Sequence, residues 1–144
     1  MSIEAKLKEL GIDLPQAVPP VANYVSFTRV GNLVFVSGQI SQIKGKLGVE
    51  IDTDHGYQAA KESAISLLSQ LKLACGGNLS KVKSCVRLGV FVNSKDDYIQ
   101  QPQVANGASD LIAAVIGKHA RAAVSSNSLP LGVAVEVDGI FEVE

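Results

Sequence analysis

Residues 119–139 read HARAAVSSNSLPLGVAVEVDG, two extended runs on either side of a Leu129-Pro130 turn. In the second run Val133, Val135 and Val137 alternate with Ala134, Glu136 and Asp138. Successive side chains of a strand point to opposite faces, so the valines share one face and the two acids share the other. An acidic face of that kind is either plain solvent surface or one wall of a site. Arg121 stands in the run before the turn.

Nearer the N-terminus, residues 24–40, YVSFTRVGNLVFVSGQI, hold two extended runs divided by Gly31-Asn32 and read as a β-hairpin. The second run is apolar on both faces, Leu33 with Phe35 and Val34 with Val36, and ends at the small and polar Ser37-Gly38-Gln39. A strand of that composition is covered on both sides, and the glycine at its end marks a close approach to the backbone. After the Gly- and Lys-containing loop 41–51, Asp52, Thr53 and Asp54 offer N-cap side chains for a helix that runs to about Cys75 and stops at Gly76-Gly77. Its apolar residues, Tyr57, Ala60, Ala64, Leu67, Leu68, Leu71 and Cys75, recur as one stripe that suits a sheet face. Residues 81–92 read as a strand, and a second helix starts near Pro102 and runs through Val104, Ala108, Leu111, Ile112 and Val115 to Gly117. Strands follow at 122–126 and 133–143. The order hairpin, helix, strand, helix, strand, strand, with two hairpin-type links, predicts an α+β fold with a mixed, mostly antiparallel sheet and both main helices on one face. Two helices cover only one face of a sheet of six strands, so the bare face is expected to pack against another subunit.

A chain of 144 residues is one domain, residues 1–144, in which 1–23 supply a short amphipathic helix (Ile3, Leu7 and Leu10 on one side) and a proline-containing connector. It is 47% hydrophobic and 19% charged, with no apolar run near the roughly 20 residues that span a bilayer. The first residues lack the apolar core of a signal peptide, so a cytoplasmic, non-membrane setting is expected. Cys75 and Cys85 have no metal-ligand spacing and read as reduced thiols. With 13 basic and 14 acidic residues the formal net charge is −1, which gives no broad field for nucleic acid or anionic membrane. Aromatic residues make up 5% and tryptophan is absent, so a stacking groove for single-stranded RNA is not supplied; Lys44 with Lys46, and Lys81, Lys83 and Arg87, read as solvated groups.

The stretches GNLVFVSGQI (31–40) and ARAAVSSNSLPLGVAVEVDGI (120–140) resemble the reactive-intermediate deaminase family, also called Rid or YjgF and often labelled endoribonuclease L-PSP. Tyr24 stands thirteen residues before Ser37 and Arg121 fifteen before Glu136, with Leu129-Pro130 between, the spacings of that family. The resemblance covers essentially the whole chain. It implies a homotrimer of chorismate-mutase-like subunits with clefts between neighbours, and hydrolysis of small enamines or imines of the 2-aminoacrylate type. By position it makes Arg121 the holder of the substrate carboxylate and Glu136 the residue that positions or activates water, with Tyr24, Ser37, Gly38 and Asn106 lining the cleft. The chemistry needs no cofactor and no metal ion. Two departures stand out: Ala123 occupies the place of a cysteine found in many members, which excludes a thiol mechanism there, and residues 98–110 differ in length from the familiar pattern.

Each of these residues has a plainer reading. Without the motif, Arg121 is a solvated strand-edge arginine, Glu136 and Asp138 a solvated face, and Ser37-Gly38 a strand end or bulge. Asp138 keeps the solvated reading, and His119 reads as an ordinary loop histidine. Tyr24 is a core or interface aromatic with its hydroxyl satisfied, and Asn106-Gly107 is turn chemistry. Two other functions use the same residues differently: a non-catalytic binder of small carboxylates, in which Glu136 is idle, and an endoribonuclease.

Overall fold

A computed structural model of the chain describes residues 1–20 and 22–144; Val21 of the connector lies outside the described residues. In chain order the elements are α1 (Ile3–Glu9), β1 (Phe27–Val30), β2 (Leu33–Ile40), α2 (Thr53–Ala74), β3 (Val82–Asn93), α3 (Gln101–Val115), β4 (Ala120–Ser126) and β5 (Val135–Val143). The strands form one open sheet in the order β1-β2-β5-β3-β4, antiparallel throughout except for the parallel pair β3–β4. The α+β reading holds, with α2 packed on β2 and β5, α3 on β3 and β4, and the two helices on each other.

Alternation along β5 sets the layers. Val135, Val137, Phe141 and Val143 are buried beneath the helices, while Glu136, Asp138, Ile140 and Glu142 alternate with them on the other face. Neighbouring β2 repeats the pattern, with Val34 and Val36 buried and Phe35 left 38% exposed on the open face. Phe91 on β3 and Val124 on β4 stand in register on that same open face, and Val124 is 47% exposed. The expected bare, partly apolar sheet face is therefore present in the single chain.

Local chemistry accounts for the helix that covers the other side. The Asp52 side chain accepts the His55 backbone N–H at 2.9 Å and starts α2. Gly76 and Gly77, at φ 66° and 92°, end it, and the Gly77 N–H returns to the Lys72 carbonyl at 2.8 Å. Between these ends Leu67, Leu68 and Leu71 are fully buried on the sheet, each contributing about 1.5–3 kcal/mol of transfer free energy.

Four readings are corrected. Among the described residues the sheet has five strands, matching the five segments read from the sequence and not the six strands stated for the sheet; the loop 41–51 adds only isolated bridges such as Lys44 with Val133, the chain turning at Gly45 and Gly48, whose φ values are 120° and 85°. Only the β1–β2 link is a hairpin, since α3 carries the chain over to set β4 parallel to β3, and β5 then fills the gap between β3 and β2. Asn106-Gly107 lies inside α3, as the helix expected from Pro102 required, which sets aside the plainer turn reading. Leu7 of α1 is buried, whereas Leu10, expected beside it, is 51% exposed past the end of the helix.

Gly107 has a packing role. A Cβ at that position would clash with the Tyr57 carbonyl oxygen, far inside van der Waals contact, and one at Gly56 would come within 2.8 Å of Val104 Cγ2. These two glycines let α2 and α3 approach closely. Alanine normally stabilises a helix interior by about 1 kcal/mol over glycine. Gly107→Ala is expected to reverse that sign and cost about 1–3 kcal/mol through overpacking, read from the urea midpoint. A more stable Gly107→Ala protein would contradict the close helix contact.

Candidate functional site

The bulge on β2 builds the first half of the site. The β2–β5 register shifts between Val36 and Gln39, which places Ser37 and Gly38 in the irregularity. The Glu136 carboxylate lies over Gly38, in the space that a Cβ at 38 would fill. The close approach expected at this glycine is thus made by the Glu136 side chain. Ser37 donates its hydroxyl to the Val25 carbonyl at 2.8 Å and its N–H to the Ser26 carbonyl at 2.8 Å, which ties the segment after Tyr24 to the bulge. Tyr24 itself is half exposed and lines a groove of ≈ 430 Å³ with Pro19, Pro20, Gln70 and Leu73.

Glu136 and Asp138 are not freely solvated. Burial, and then the neighbouring Asp138 charge, push the Glu136 carboxyl above its ordinary value. Burial also raises Asp138, against the pull of the Arg87 guanidinium and a backbone hydrogen bond from Gly89. Gly89 makes room for this pair, because a Cβ there would run into Asp138 Oδ1 and come within 3.2 Å of Arg87 Nη1. Asp138 therefore departs from the solvated reading.

Arg121 belongs to a second cluster. In the parallel ladder it stands in register with Leu88, whose side chain is buried on the helix side of the sheet. Its Nη1 donates to Asn106 Oδ1 at 2.8 Å and to Ser109 Oγ at 3.2 Å, both on α3. Ser109 Oγ is also 2.9 Å from His119 Nε2. Glu136 is in register with Phe91, on the opposite face. Within one chain the structure thus brings Arg121 to Asn106 and Glu136 to Ser37-Gly38, and it holds the two groups on opposite faces of the sheet.

Sequence reasoning missed Ser109 and the hydrogen bonding of His119. A faint signal was present, because Ser109 follows Asn106 by three residues and His119 precedes Arg121 by two. Those spacings share a helix face and a strand face respectively. Cys75 and Cys85 are free and buried, and burial pushes the Cys85 thiol up to about 12. Among the described residues no group of three or more His, Cys, Asp or Glu side chains is placed to hold a metal ion, and no helix is long and apolar enough to cross a membrane.

Residues 4–139 match the YjgF/chorismate-mutase-like family, whose description also carries the label endoribonuclease. The chain belongs to this family. It is 43% identical to protein TCP17 of Trypanosoma cruzi over 151 aligned residues, spanning 98% of this chain and 94% of that one. A crystal structure of Atu1372 from Agrobacterium tumefaciens, a protein of unknown function, superposes with a TM-score of 0.92 at 44% identity, covering 99% of this chain and 92% of that one. At 23% identity, over 92% of this chain and 95% of the other, it is also similar to a 2-iminobutanoate/2-iminopropanoate deaminase of the mite Dermatophagoides farinae.

The raised carboxyls predict a pH dependence. An acid whose pKa is higher folded than unfolded binds more protons in the folded state between the two values, so stability falls as pH rises through that window. Glu136→Gln removes this loss. The variant should match the wild type in urea midpoint below the ordinary glutamate pKa and exceed it at neutral pH. Asp138→Asn, which removes the like charge, should lower the Glu136 pKa measured by carbon-detected NMR. A Glu136 that titrates in the ordinary range would contradict the desolvated seat.

Proposed function

We propose that this protein hydrolyses small enamine or imine carboxylates of the 2-aminoacrylate type to the corresponding 2-oxo acid and ammonia. The observation that carries the reading is the seat of Glu136: a carboxylate set on Gly38, partly withdrawn from water, with its proton affinity raised. A carboxylate so tuned can take a proton from water as the water attacks the imine carbon, then return it to the departing nitrogen. Water adds across the C=N bond, the tetrahedral carbinolamine loses ammonia, and the C=O bond forms. An enamine first takes a proton on carbon to become the imine. Water is the sole co-reactant, so the reaction is cofactor-independent.

Arg121 is the carboxylate holder in this scheme, since its planar fork matches a carboxylate in a way that lysine does not. Ser37 and Gly38 would form the wall beside Glu136, Asn106 the wall beside Arg121, and Tyr24 the rim. Because Arg121 and Glu136 lie on opposite sheet faces within a chain, a cleft that holds both is formed between two copies. Closed threefold association, as the family resemblance implies, would supply such clefts where the edge strand β4 of one copy, with its Arg121, meets the bare sheet face of the next. The mite relative's name supports the reaction class, and the family's endoribonuclease label names the competing one.

The test is ammonia release from an imine generated in the assay by oxidation of an amino acid. Glu136→Gln should lower turnover by about 10² to 10⁴ while leaving affinity for an unreactive carboxylate nearly intact. Arg121→Ala should weaken that affinity by about 10- to 150-fold, and Arg121→Lys should recover only part of it. Normal turnover by Glu136→Gln would reject the scheme. Carboxylate binding by Arg121 without any ammonia release would leave a binding module. Salt-sensitive RNA cleavage lost in a site variant would favour the endoribonuclease.

A further inference from the structure

The hydrogen-bond directions around Arg121 are fixed by a short chain of groups. His119 Nδ1 is 3.1 Å from the Gly117 carbonyl, which can only accept, so Nδ1 carries a proton and donates. In the neutral ring Nε2 is then an acceptor, and the Ser109 hydroxyl, 2.9 Å away, donates to it. That leaves the Ser109 oxygen lone pairs turned toward Arg121, whose Nη1 donates to them at 3.2 Å while also donating to Asn106 at 2.8 Å. Every member of the chain is paired, and each donor has one direction to point. Both side-chain bonds of the guanidinium leave from Nη1; among the described residues no acceptor is paired with Nε or Nη2.

We propose that Ser109, held by His119, is a positioning residue that occupies the Nη1 end of Arg121 and leaves the Nε and Nη2 edge as the fork for the substrate carboxylate. This rests on the carboxylate-holding role of Arg121 proposed above. A guanidinium offers a carboxylate two kinds of parallel N–H pair, one across Nη1 and Nη2 and one along Nε and Nη2. With Nη1 committed to α3, the second pair is the one left open. Rotation of the head group about its last bonds, which would re-aim the Nε and Nη2 edge, is opposed by the Ser109 and Asn106 acceptors on Nη1. Substrate therefore meets a preset fork rather than a mobile one, and less ordering is needed on binding.

The test uses propanoate as an unreactive probe, measured by calorimetric titration, beside steady-state imine hydrolysis. Ser109→Ala should weaken propanoate binding by about 3- to 10-fold and raise KM by a similar factor with kcat little changed, the pattern of lost uniform binding. Ser109→Thr, which keeps the hydroxyl, should restore both to within about twofold. His119→Phe should resemble Ser109→Ala, because the serine hydroxyl loses its acceptor, whereas His119→Gln should recover part. If Ser109→Ala binds like wild type while Arg121→Ala does not, the positioning role is overturned and the carboxylate role of Arg121 stands. A Ser109→Thr protein as weak as Ser109→Ala also overturns it. If Arg121→Ala binds propanoate normally, the underlying reading fails and this inference fails with it.

Discussion

A strand can bury only every second side chain on one face, and in β5 that constraint falls on Val135, Val137, Phe141 and Val143. Once these go beneath α2 and α3, Glu136 and Asp138 have no choice of face. Moving the register by one residue would put three carboxylates, Glu136, Asp138 and Glu142, into the apolar core, at a cost far above what any surface contact returns. The same decision fixes β2 and β3, whose ladders with β5 carry the alternation outward and leave Phe35 and Phe91 beside the acids. A sheet face that mixes aromatic side chains with half-withdrawn carboxylates is poorly suited to water on either account. The site chemistry begins from that unease.

Two opposing effects meet at Glu136. Seating a carboxylate over Gly38 removes part of its hydration and raises its pKa, which costs stability whenever the group is ionised. A surface glutamate would avoid that cost and would hold its proton too weakly to return it to a leaving nitrogen at neutral pH. At Arg121 the balance runs the other way. The guanidinium Nη1 is matched to the neutral acceptors Asn106 and Ser109 rather than to a carboxylate, so its charge is not paired by an acid there. Positive charge kept free on one face and a tuned base on the other are complementary halves of one proposed cleft.

Much of this was legible in residue patterns because the pertinent rules are local. Asp52 as the cap of α2, Gly76-Gly77 as its stop and the β1–β2 hairpin at Gly31-Asn32 each depend on a few neighbouring residues. Strand order is not local: nothing in residues 120–143 states that β3 will lie between β4 and β5, since that follows from how α3 spans the sheet. Gly107 reads as a turn residue until α2 arrives, because the atom that demands a glycine is a backbone carbonyl fifty residues away. Ser109 escaped notice for a like reason, being an ordinary helical serine until β4 brings Arg121 and His119 alongside. Asp138 looked solvated because exposure is a property of the assembled sheet and of Arg87 rather than of the strand pattern.

The central claim is that one working site takes its arginine and its glutamate from different copies of the chain. Co-expressing Arg121→Ala and Glu136→Gln chains at equal levels tests it directly, since neither chain alone can build a complete site. Random mixing in a closed ring in which each site spans two copies gives intact pairs in about a quarter of the sites, so the mixture should recover about a quarter of wild-type ammonia release. A mixture no more active than its two parents, with mixed assemblies confirmed by mass, would place both residues in a single chain's site and contradict the account.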